Sequence, residues 1–363
     1  MRHFHVLAAA SAALALALAS AAPAQAAPRE FFGVVPQQSL PVSDIERMAQ
    51  GKVGTVRLQL FWPNVETTDD SFDWSAYDEL IGNLAAEGIR PFPFLLGVPD
   101  FVSADALRLP VGSAGDKAQW EEFVTEALER YGPGGEYWEN PSLYPSQHPG
   151  EDPKPVKSVQ PWNEENAPKH THPEPSVPDY GELVKITHSA ATAVDPDVEI
   201  VLGGMFGRPT GGGAIDAWKF LKRLYGVSGI RGAFDSVALH PYAPGLKGIE
   251  DQFERIREVL KKKGDRQVRT WVTEIGWGSS GQSSSRLVKG VSGQAKLLKQ
   301  SFKLFLEQRG KWKIAGVQWF AWRDLGAADA PCDWCASAGL FEKTGFDFKP
   351  AWQRFTKLTG GKP

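Results

Sequence analysis

The chain has 363 residues, of which 42% are hydrophobic and 23% are charged, and its formal net charge is −3. These fractions are ordinary for a packed soluble domain and exclude a disordered or low-complexity chain. The weak negative charge offers no basic surface for nucleic acid, and the lysine run at 261–263 ends a predicted helix, where exposed cations are favoured. We therefore expect no nucleic-acid partner.

The segment 1–26 predicts a secretory signal peptide. Arg2 precedes an apolar run at 6–22, and the small-residue motif Ala24-Gln25-Ala26 follows it. The run is too short and too rich in alanine for a membrane anchor, and no later stretch has the roughly 20 apolar residues that a spanning helix needs. We expect cleavage near Ala26 and a secreted, extracellular mature chain of residues 27–363 without a membrane anchor.

Along the mature chain, apolar, β-branched or aromatic segments alternate with segments of helical periodicity. The predicted strands one to eight are at 31–35, 53–60, 89–96, 157–162, 198–204, 234–240, 268–276 and 314–322. The predicted helices between them are at 74–88, 117–132, 180–194, 214–226, 249–264 and 293–310. This alternation favours a single-domain (β/α)₈ barrel. No G-x-G-x-x-G follows strand one, which disfavours a dinucleotide-binding sheet.

Three Pro-rich, polar stretches predict long loops around strands three and four. They lie at 98–115, 132–156 and 167–178. Loops of this length are commonly functional, so we expect them to shape a site.

Polar residues gather where the predicted strands end, which is where barrels of this kind build their active sites. They are Arg57 on strand two, Asn163 and Glu164 after strand four, His240 and Tyr242 after strand six, Glu274 on strand seven and Trp322 on strand eight. Glu274 lies within the apolar run "TWVTEIGW", where a charge is costly to bury unless it is paired or functional. Two carboxylates among aromatic rings suit glycoside hydrolysis, in which one carboxyl group protonates the leaving oxygen and the other faces the anomeric carbon.

Non-catalytic interpretations also exist for these residues. Arg57 and Glu274 could form a structural ion pair, and His240 could be a core histidine with its hydrogen bonds satisfied. Trp74, Trp120, Trp218 and Trp352 occur in helical patterns and are expected to pack against the barrel.

The motifs "WNEEN", "LHPY", "TEIGW" and "WFAW", after or on strands four, six, seven and eight, resemble those of clan A glycoside hydrolases, particularly families 5 and 39. The segments "VRLQLFWPNVE" and "AGLFEKTGFDFKPAWQRF" extend this resemblance over most of the mature chain. It departs from the family pattern at Glu165, which stands where proline usually follows the acid/base, and on strand three, where "PFLLGVPDF" lacks a histidine.

The resemblance implies a retaining (β/α)₈ hydrolase that needs no cofactor or metal. It implies that Glu164 is the acid/base and Glu274 the nucleophile, with Asn163 contacting the sugar 2-hydroxyl and Arg57 steadying the nucleophile. His240 and Tyr242 match the strand-six pair, and Trp322 matches the strand-eight sugar platform. Trp322 is preferred to Trp319 because alternate strand residues face opposite ways. Trp62 and Trp277 are further candidates for sugar contact.

Strand alternation also separates the two glutamates of "PWNEEN". Glu164 should share the facing of Trp162, and Glu165 should point the other way as a loop or rim residue.

The remaining candidates for metal or redox chemistry are two cysteines and two histidines. Cys332 and Cys335 in "PCDWCAS" predict a short-loop disulfide, with a redox C-x-x-C as the alternative and too few nearby ligands for zinc. His170 and His172, in the Pro-rich loop "KHTHPEP", are interpreted as solvated histidines rather than a metal site.

These observations predict a secreted, monomeric hydrolase that cleaves β-linked oligo- or polysaccharides with retention of configuration. A transglycosylase would use the same residues, and a non-catalytic glycan-binding barrel would keep the aromatic cleft. The sugar, the linkage and the choice between endo and exo action stay open.

Overall fold

A computed structural model describes residues 27–282 and 284–363. The predicted signal peptide at 1–26 lies outside the described residues. Eight parallel strands form a closed barrel in the order β1-β8-β7-β6-β5-β4-β3-β2. Their bounds are β1 Phe32–Val35, β2 Thr55–Phe61, β3 Arg90–Leu96, β4 Ser158–Pro161, β5 Glu199–Phe206, β6 Ser236–His240, β7 Arg269–Ile275 and β8 Ile314–Phe320. The predicted barrel is confirmed, and each strand lies within two residues of its predicted bounds.

A helix follows each strand and packs on the outside of the barrel. The helices are α1 Val42–Gln50, α2 Ser75–Ala86, α3 Ala114–Tyr131, α4 Val177–Val194, α5 Ala217–Leu224, α6 Leu246–Lys262, α7 Gly290–Glu307 and α8 Pro350–Thr359. Six of them were predicted, and α1 and α8 complete the set. Four short helices lie at Trp62–Val65, Glu136–Glu139, Tyr144–Gln147 and Arg309–Trp312, with 3₁₀ turns at Arg29–Phe31 and Trp334–Ser337. A two-strand hairpin joins Glu66–Thr68 to Ser71–Phe72.

The strands are apolar on both faces because each packs against helices outside and against other strands inside. β2 and β3 pair in register over seven residues, from Thr55 and Arg90 to Phe61 and Leu96. The lower interior is filled by Phe92, Val201, Ala238 and Trp271. Nearer the carboxyl ends the interior becomes polar. The structure buries Trp74, Trp120, Trp218 and Trp352 in the core, as expected from their helical patterns.

Two of the three long connections lie at one end of the barrel, and the third lies at the other end. Segments 98–113 and 162–176 follow β3 and β4 and therefore lie at the carboxyl ends of the strands. Segment 132–157 joins α3 to β4 and lies at the opposite end, where Tyr137, Trp138 and Tyr144 pack together. The expectation that 132–156 shapes a site is therefore wrong, because a helix-to-strand connection returns to the amino ends of the strands. Among the described residues, no helix has the length and apolar character needed to cross a membrane.

Candidate active site

A pocket of about 440 Å³ opens at the carboxyl ends of the strands. Its volume is within the range of roughly 300–1,000 Å³ that small-molecule sites occupy. Its floor and walls come from strand ends and their loops: Gln59, Phe94, Leu96, Asn163, Glu164, Phe206, Tyr242, Glu274, Phe320 and Trp334. Lys169, His170 and Arg208 add positive charge at its rim. A cavity of about 620 Å³ beyond the Cys332–Cys335 loop contains neither Glu164 nor Glu274, so it is not the predicted site.

Glu274 projects from β7 into the pocket and accepts two hydrogen bonds. Arg57 Nη1 donates to Oε1 at 2.7 Å, and the Tyr242 hydroxyl donates to Oε2 at 2.7 Å. Burial and the Glu274 carboxylate raise the pKa of Tyr242 well above its ordinary value, so the phenol keeps its proton. Both donors stabilise negative charge on Glu274, as a nucleophile requires.

Arg57 also connects Glu274 to the opposite wall of the pocket. This fully buried side chain donates from Nη2 to Asn163 Oδ1 at 2.7 Å and from Nε to Gln160 Oε1 at 3.1 Å. Burial lowers the pKa of Arg57, which the negative charges of Glu274 and Glu164 oppose, and a guanidinium stays charged in proteins. The ion pair is therefore part of a network that fixes both walls of the pocket.

Glu164 follows β4 and is held by two imidazole rings. His240 Nδ1 lies 2.7 Å from Oε1, and His170 Nε2 lies 2.9 Å from Oε2. When Glu164 is ionised, both rings donate to it. His240 Nε2 lies 3.0 Å from Thr273 Oγ1, so one proton on Nδ1 satisfies both contacts of that ring.

The protonation of Glu164 is set by opposing effects. Burial raises its pKa, but the hydrogen bonds and charges of His170 and His240 outweigh burial and lower the pKa to about 2. Burial likewise opposes charge on His170, and Glu164 outweighs it, so the pKa of His170 is raised. In the free protein, the geometry therefore favours a carboxylate at Glu164 beside an imidazolium at His170.

Glu164, His240 and Glu274 form a compact cluster in which one donor atom of each lies within 4.8 Å of the others. Such a set has atoms that a metal ion can use. However, Arg57 already places a buried positive charge against Glu274, and a second cation would be repelled. The cluster therefore fits proton transfer and nucleophilic attack better than metal binding, and the absence of a metal cofactor stays a prediction.

A left-handed turn directs Glu164 into the pocket. β4 ends at Pro161, and Trp162 and Glu164 have φ of 72° and 49°. Trp162 is buried against Trp120 of α3, with ring centroids 6.2 Å apart. The expectation that Trp162 and Glu164 share one facing is wrong, because strand alternation ends before these residues.

Glu165 is fully buried, so its assignment as a loop or rim residue is also wrong. It points away from the pocket, as expected, towards Gly203 of β5 and Tyr180 of α4. Burial raises its pKa to about 8, and the Glu164 carboxylate adds to the rise. Neither carboxyl oxygen has a hydrogen-bond partner among the described residues. Glu165 is therefore a neutral carboxylic acid behind the pocket wall at neutral pH.

Two glycines in the middle of β5 make room for these groups. A Cβ at Gly203 would lie 2.2 Å from Glu165 Oε2, and a Cβ at Gly204 would lie 2.0 Å from His240 Nε2. Because neighbouring strand residues face opposite sides, Gly203 admits the buried acid outside the barrel and Gly204 admits the histidine inside it. The "GG" within "VLGGMF" is thus a local requirement of the site.

The structure places three predicted sugar-contact residues away from the pocket. Trp322 is 1% exposed and packs against Phe341 and Trp352. The other two, Trp62 and Trp277, are fully buried. Trp62 donates from Nε1 to Glu66, and Trp277 donates to the Ala243 carbonyl. These assignments are corrected: the three rings belong to the core, and the strand-eight residue that lines the pocket is Phe320.

The histidines of "KHTHPEP" have different environments. The His172 side chain is half-buried, 38% exposed, and pairs with Asp105 at 3.0 Å outside the pocket, consistent with a histidine in contact with solvent. His170 lines the pocket and contacts Glu164, so the assignment of both residues to solvent is wrong for this one. The H-x-H spacing does not show which of the two histidines enters the pocket. The length of the loop after predicted strand four does indicate that this segment contributes to the site.

The predicted disulfide between Cys332 and Cys335 is confirmed. The short loop it closes carries Trp334, whose ring lies 4.7 Å from that of Tyr242 and 5.8 Å from that of Phe320. Trp334 therefore supplies an aromatic face of the pocket that strand positions alone do not indicate. The sequence feature that could have indicated this role is the position of the tryptophan between the two cysteines.

Comparison with solved structures identifies proteins of the same fold at low sequence identity. A family 39 glycoside hydrolase from Bacteroides cellulosilyticus matches with a TM-score of 0.66 and 18% identity, over 92% of this chain and 64% of that one. A monomeric β-xylosidase from Caulobacter crescentus matches at 0.65 and 17%, over 92% and 69%. An intracellular xylanase from Thermoanaerobacterium saccharolyticum matches at 0.57 and 14%, over 90% and 95%.

These matches show the fold that the chain shares with these enzymes. The chain spans less than two thirds of the length of the first of them. No protein-family model matches the chain, and no curated protein matches its sequence significantly.

Proposed function

We propose that this protein is a secreted retaining glycoside hydrolase that cleaves β-linked sugars, with Glu274 as nucleophile and Glu164 as acid/base. One observation carries the proposal: carboxylate oxygens from β4 and β7 approach within 4.8 Å across a pocket at the carboxyl ends of the barrel strands. Retaining enzymes hold these carboxyl groups about 5–5.5 Å apart, and inverting enzymes separate them further to admit a water. The short separation supports retention.

In the first step, Glu274 attacks the anomeric carbon and the glycosidic bond breaks. Arg57 and Tyr242 hold the attacking carboxylate and limit its rotation. The acid/base group at Glu164 gives a proton to the leaving oxygen, so the aglycone departs as an alcohol. A covalent glycosyl ester on Glu274 remains.

In the second step, Glu164 removes a proton from a water that attacks the same carbon, and the ester bond to Glu274 breaks. Two attacks from opposite faces restore the original configuration. Asn163 lines the pocket beside Glu164 and is fixed by Arg57, which supports its proposed contact with the sugar 2-hydroxyl. The rings of Phe94, Phe320 and Trp334 offer apolar faces to the C–H face of a pyranose.

The substrate, location and assembly are part of the proposal. The fold matches include a β-xylosidase and a xylanase, so β-xylosides are the first substrates to test. The signal-peptide pattern and the disulfide support secretion, because disulfides persist in oxidising compartments. The monomeric β-xylosidase among the matches supports a monomer.

Azide rescue tests each assigned role. Glu164→Ala and Glu274→Ala should each abolish hydrolysis of alkyl β-glycosides, and the control Glu46→Ala, at an exposed position on α1, should retain activity. With aryl β-glycosides, azide should give Glu274→Ala an α-glycosyl azide and Glu164→Ala a β-glycosyl azide. Unchanged turnover in either variant, or rescue products of the opposite configuration, would refute the roles.

Two further measurements separate the alternatives. Adding sugar acceptors and analysing products distinguishes hydrolysis from transglycosylation, because water and a sugar hydroxyl compete for the same intermediate. A 2-fluoro glycoside should attach covalently to Glu274, whereas a non-catalytic glycan-binding barrel would bind sugars without acquiring this label.

A further inference from the structure

We propose that His170 holds the proton that Glu164 delivers to the leaving group, so that the acid of this site is a Glu164–His170 pair sharing one proton. The inference rests on the proposed glycosidase function and adds a positioning and proton-holding residue to it. It starts from a geometric constraint: both oxygens of Glu164 are occupied, Oε1 by His240 and Oε2 by His170. His170 Nε2 lies 2.9 Å from Oε2, so a single proton on either atom can be held between the two.

The loop after β4 holds His170 at this position. Trp162 Nε1 donates to the His170 carbonyl at 2.8 Å, and the amide of His170 donates to the Ala167 carbonyl at 3.0 Å. The amide of Ala167 donates in turn to the Glu164 carbonyl at 2.8 Å. The segment from Glu164 to His170 is thus a compact turn that folds the imidazole back onto the carboxylate. The neighbouring Lys169 donates from Nζ to the Pro331 carbonyl at 2.6 Å, which connects this turn to the opposite wall of the pocket.

His170 differs from His240 in its access to solvent. The His170 side chain is 28% exposed at the pocket rim, whereas His240 is fully buried and its second nitrogen contacts Thr273. A ring at the rim can exchange its proton with water between turnovers. His240 is enclosed, so its role is to orient Glu164.

The charges facing His170 favour its protonated form. Glu164 and Glu274 face it from β4 and β7, and both raise its pKa. Lys169, beside it in sequence, opposes them, and Arg208, which lines the same pocket, is paired with Asp251. The remaining charged and titratable groups around the pair are Tyr242, Arg57, which is paired with Glu274, and His240 and Glu165, which lie against Glu164.

The proton balance of both steps follows. As the glycosidic bond breaks, the single proton of the pair passes from His170 Nε2 through Oε2 of Glu164 to the leaving oxygen, which leaves His170 neutral and Glu164 ionised. In the second step, Glu164 takes a proton from the attacking water and passes it to His170. The pair ends each cycle with the single proton with which it began.

The test is the pH dependence of kcat/KM for an alkyl β-xyloside in wild type, His170→Gln and the control His172→Gln. Glutamine keeps a hydrogen-bond donor beside Glu164 but cannot hold an extra proton. A second basic site can only raise the apparent pKa at which a pair loses its last proton. The basic limb should therefore move to lower pH in His170→Gln, by about one unit or more, and should not move in His172→Gln.

Leaving-group dependence gives a second readout. At pH 7, His170→Gln should lose roughly 10-fold or more on the alkyl glycoside but much less on a dinitrophenyl glycoside, because that leaving group needs little protonation. An unmoved basic limb, or equal losses on both substrates, would show that His170 only supports the loop and would overturn the proposal.

NMR titration of the His170 ring tests the pair without turnover. Its titration midpoint should move to lower pH in Glu164→Gln, and an unmoved midpoint would overturn the inference. If wild type cleaves no glycoside, the proposed function fails while the titration still decides whether the pair shares a proton. If wild type cleaves glycosides but the basic limb of His170→Gln is unmoved, only the inference fails.

Discussion

Glu165 is a buried, neutral carboxyl group whose protonation should make the stability of the folded protein depend on pH. Its side chain is fully buried between β5 and α4. Its pKa is about 8 in the folded protein, against an ordinary value of 4.5 that the unfolded chain should show. Between these two values, the folded state binds one more proton than the unfolded state.

The sign of the effect follows from proton linkage. The contribution of Glu165 is fully present below pH 4.5 and is lost as pH rises towards 8, because the unfolded chain releases its proton over this range while burial makes the folded protein keep it. Each pKa unit of difference between the folded and unfolded states corresponds to about 1.4 kcal/mol. Over the whole range, Glu165 therefore changes the free energy of unfolding by about 5 kcal/mol. Between pH 5 and pH 8, the loss should be roughly 3–4 kcal/mol.

The perturbation that isolates this effect is Glu165→Gln, which keeps the shape of the side chain and stays neutral at every pH. Urea unfolding of both proteins, followed by tryptophan fluorescence, gives the free energy of unfolding at each pH from 5 to 8. All other titrating groups are shared, so the difference between wild type and variant reports Glu165. The control Glu46→Gln changes an exposed glutamate of α1 and should leave the slope unchanged.

The expected result is that wild type loses stability relative to Glu165→Gln by roughly 3–4 kcal/mol between pH 5 and pH 8. Parallel curves for the two proteins would refute the reasoning. They would show that the carboxyl group is ionised in the folded protein, through water or a partner that stabilises its charge.

Two tryptophans give opposite expectations for binding and stability. Trp334→Ala should raise KM for a β-glycoside roughly 2- to 12-fold, the loss of about 0.5–1.5 kcal/mol of stacking, with little change in kcat; an unchanged KM would exclude Trp334 from the sugar site. Trp322→Ala should instead lower the free energy of unfolding by about 3–5 kcal/mol in urea titrations, because it leaves a cavity in the core. Trp322→Phe should keep the KM of wild type, and a raised KM in a stably folded Trp322→Phe would restore its role as a sugar platform.

The behaviour of Glu165 and Trp322 also shows where sequence patterns stop being informative. A buried tryptophan and a sugar-stacking tryptophan occur in the same apolar context, so "WFAW" does not distinguish them. The parity rule fails because β8 ends at Phe320, so strand alternation no longer applies at Trp322, although Phe320 itself faces the pocket as that alternation requires. The double glycine in β5 could have indicated that two side chains approach that strand, but not which ones.

The barrel and the grouping of its polar residues could be predicted from the sequence. Alternating strand and helix periodicity specifies parallel strands, and the carboxyl ends of parallel strands in a closed barrel must converge. That convergence brings Arg57, Asn163, Glu164, Tyr242 and Glu274 together, although 217 positions separate the first from the last.

The side chains that contact Glu164 could not be predicted from the sequence, because they depend on how distant segments fold together. The loop after β4 has no periodicity, so nothing local shows that His170 turns back onto the Glu164 carboxylate while His172 pairs with Asp105. The left-handed turn at Glu164 and the burial of Glu165 depend on contacts with α3, α4 and β5, which lie elsewhere in the chain. These contacts set the protonation of Glu164, Glu165 and His170, because burial and neighbouring charges act on these groups only once the barrel has closed.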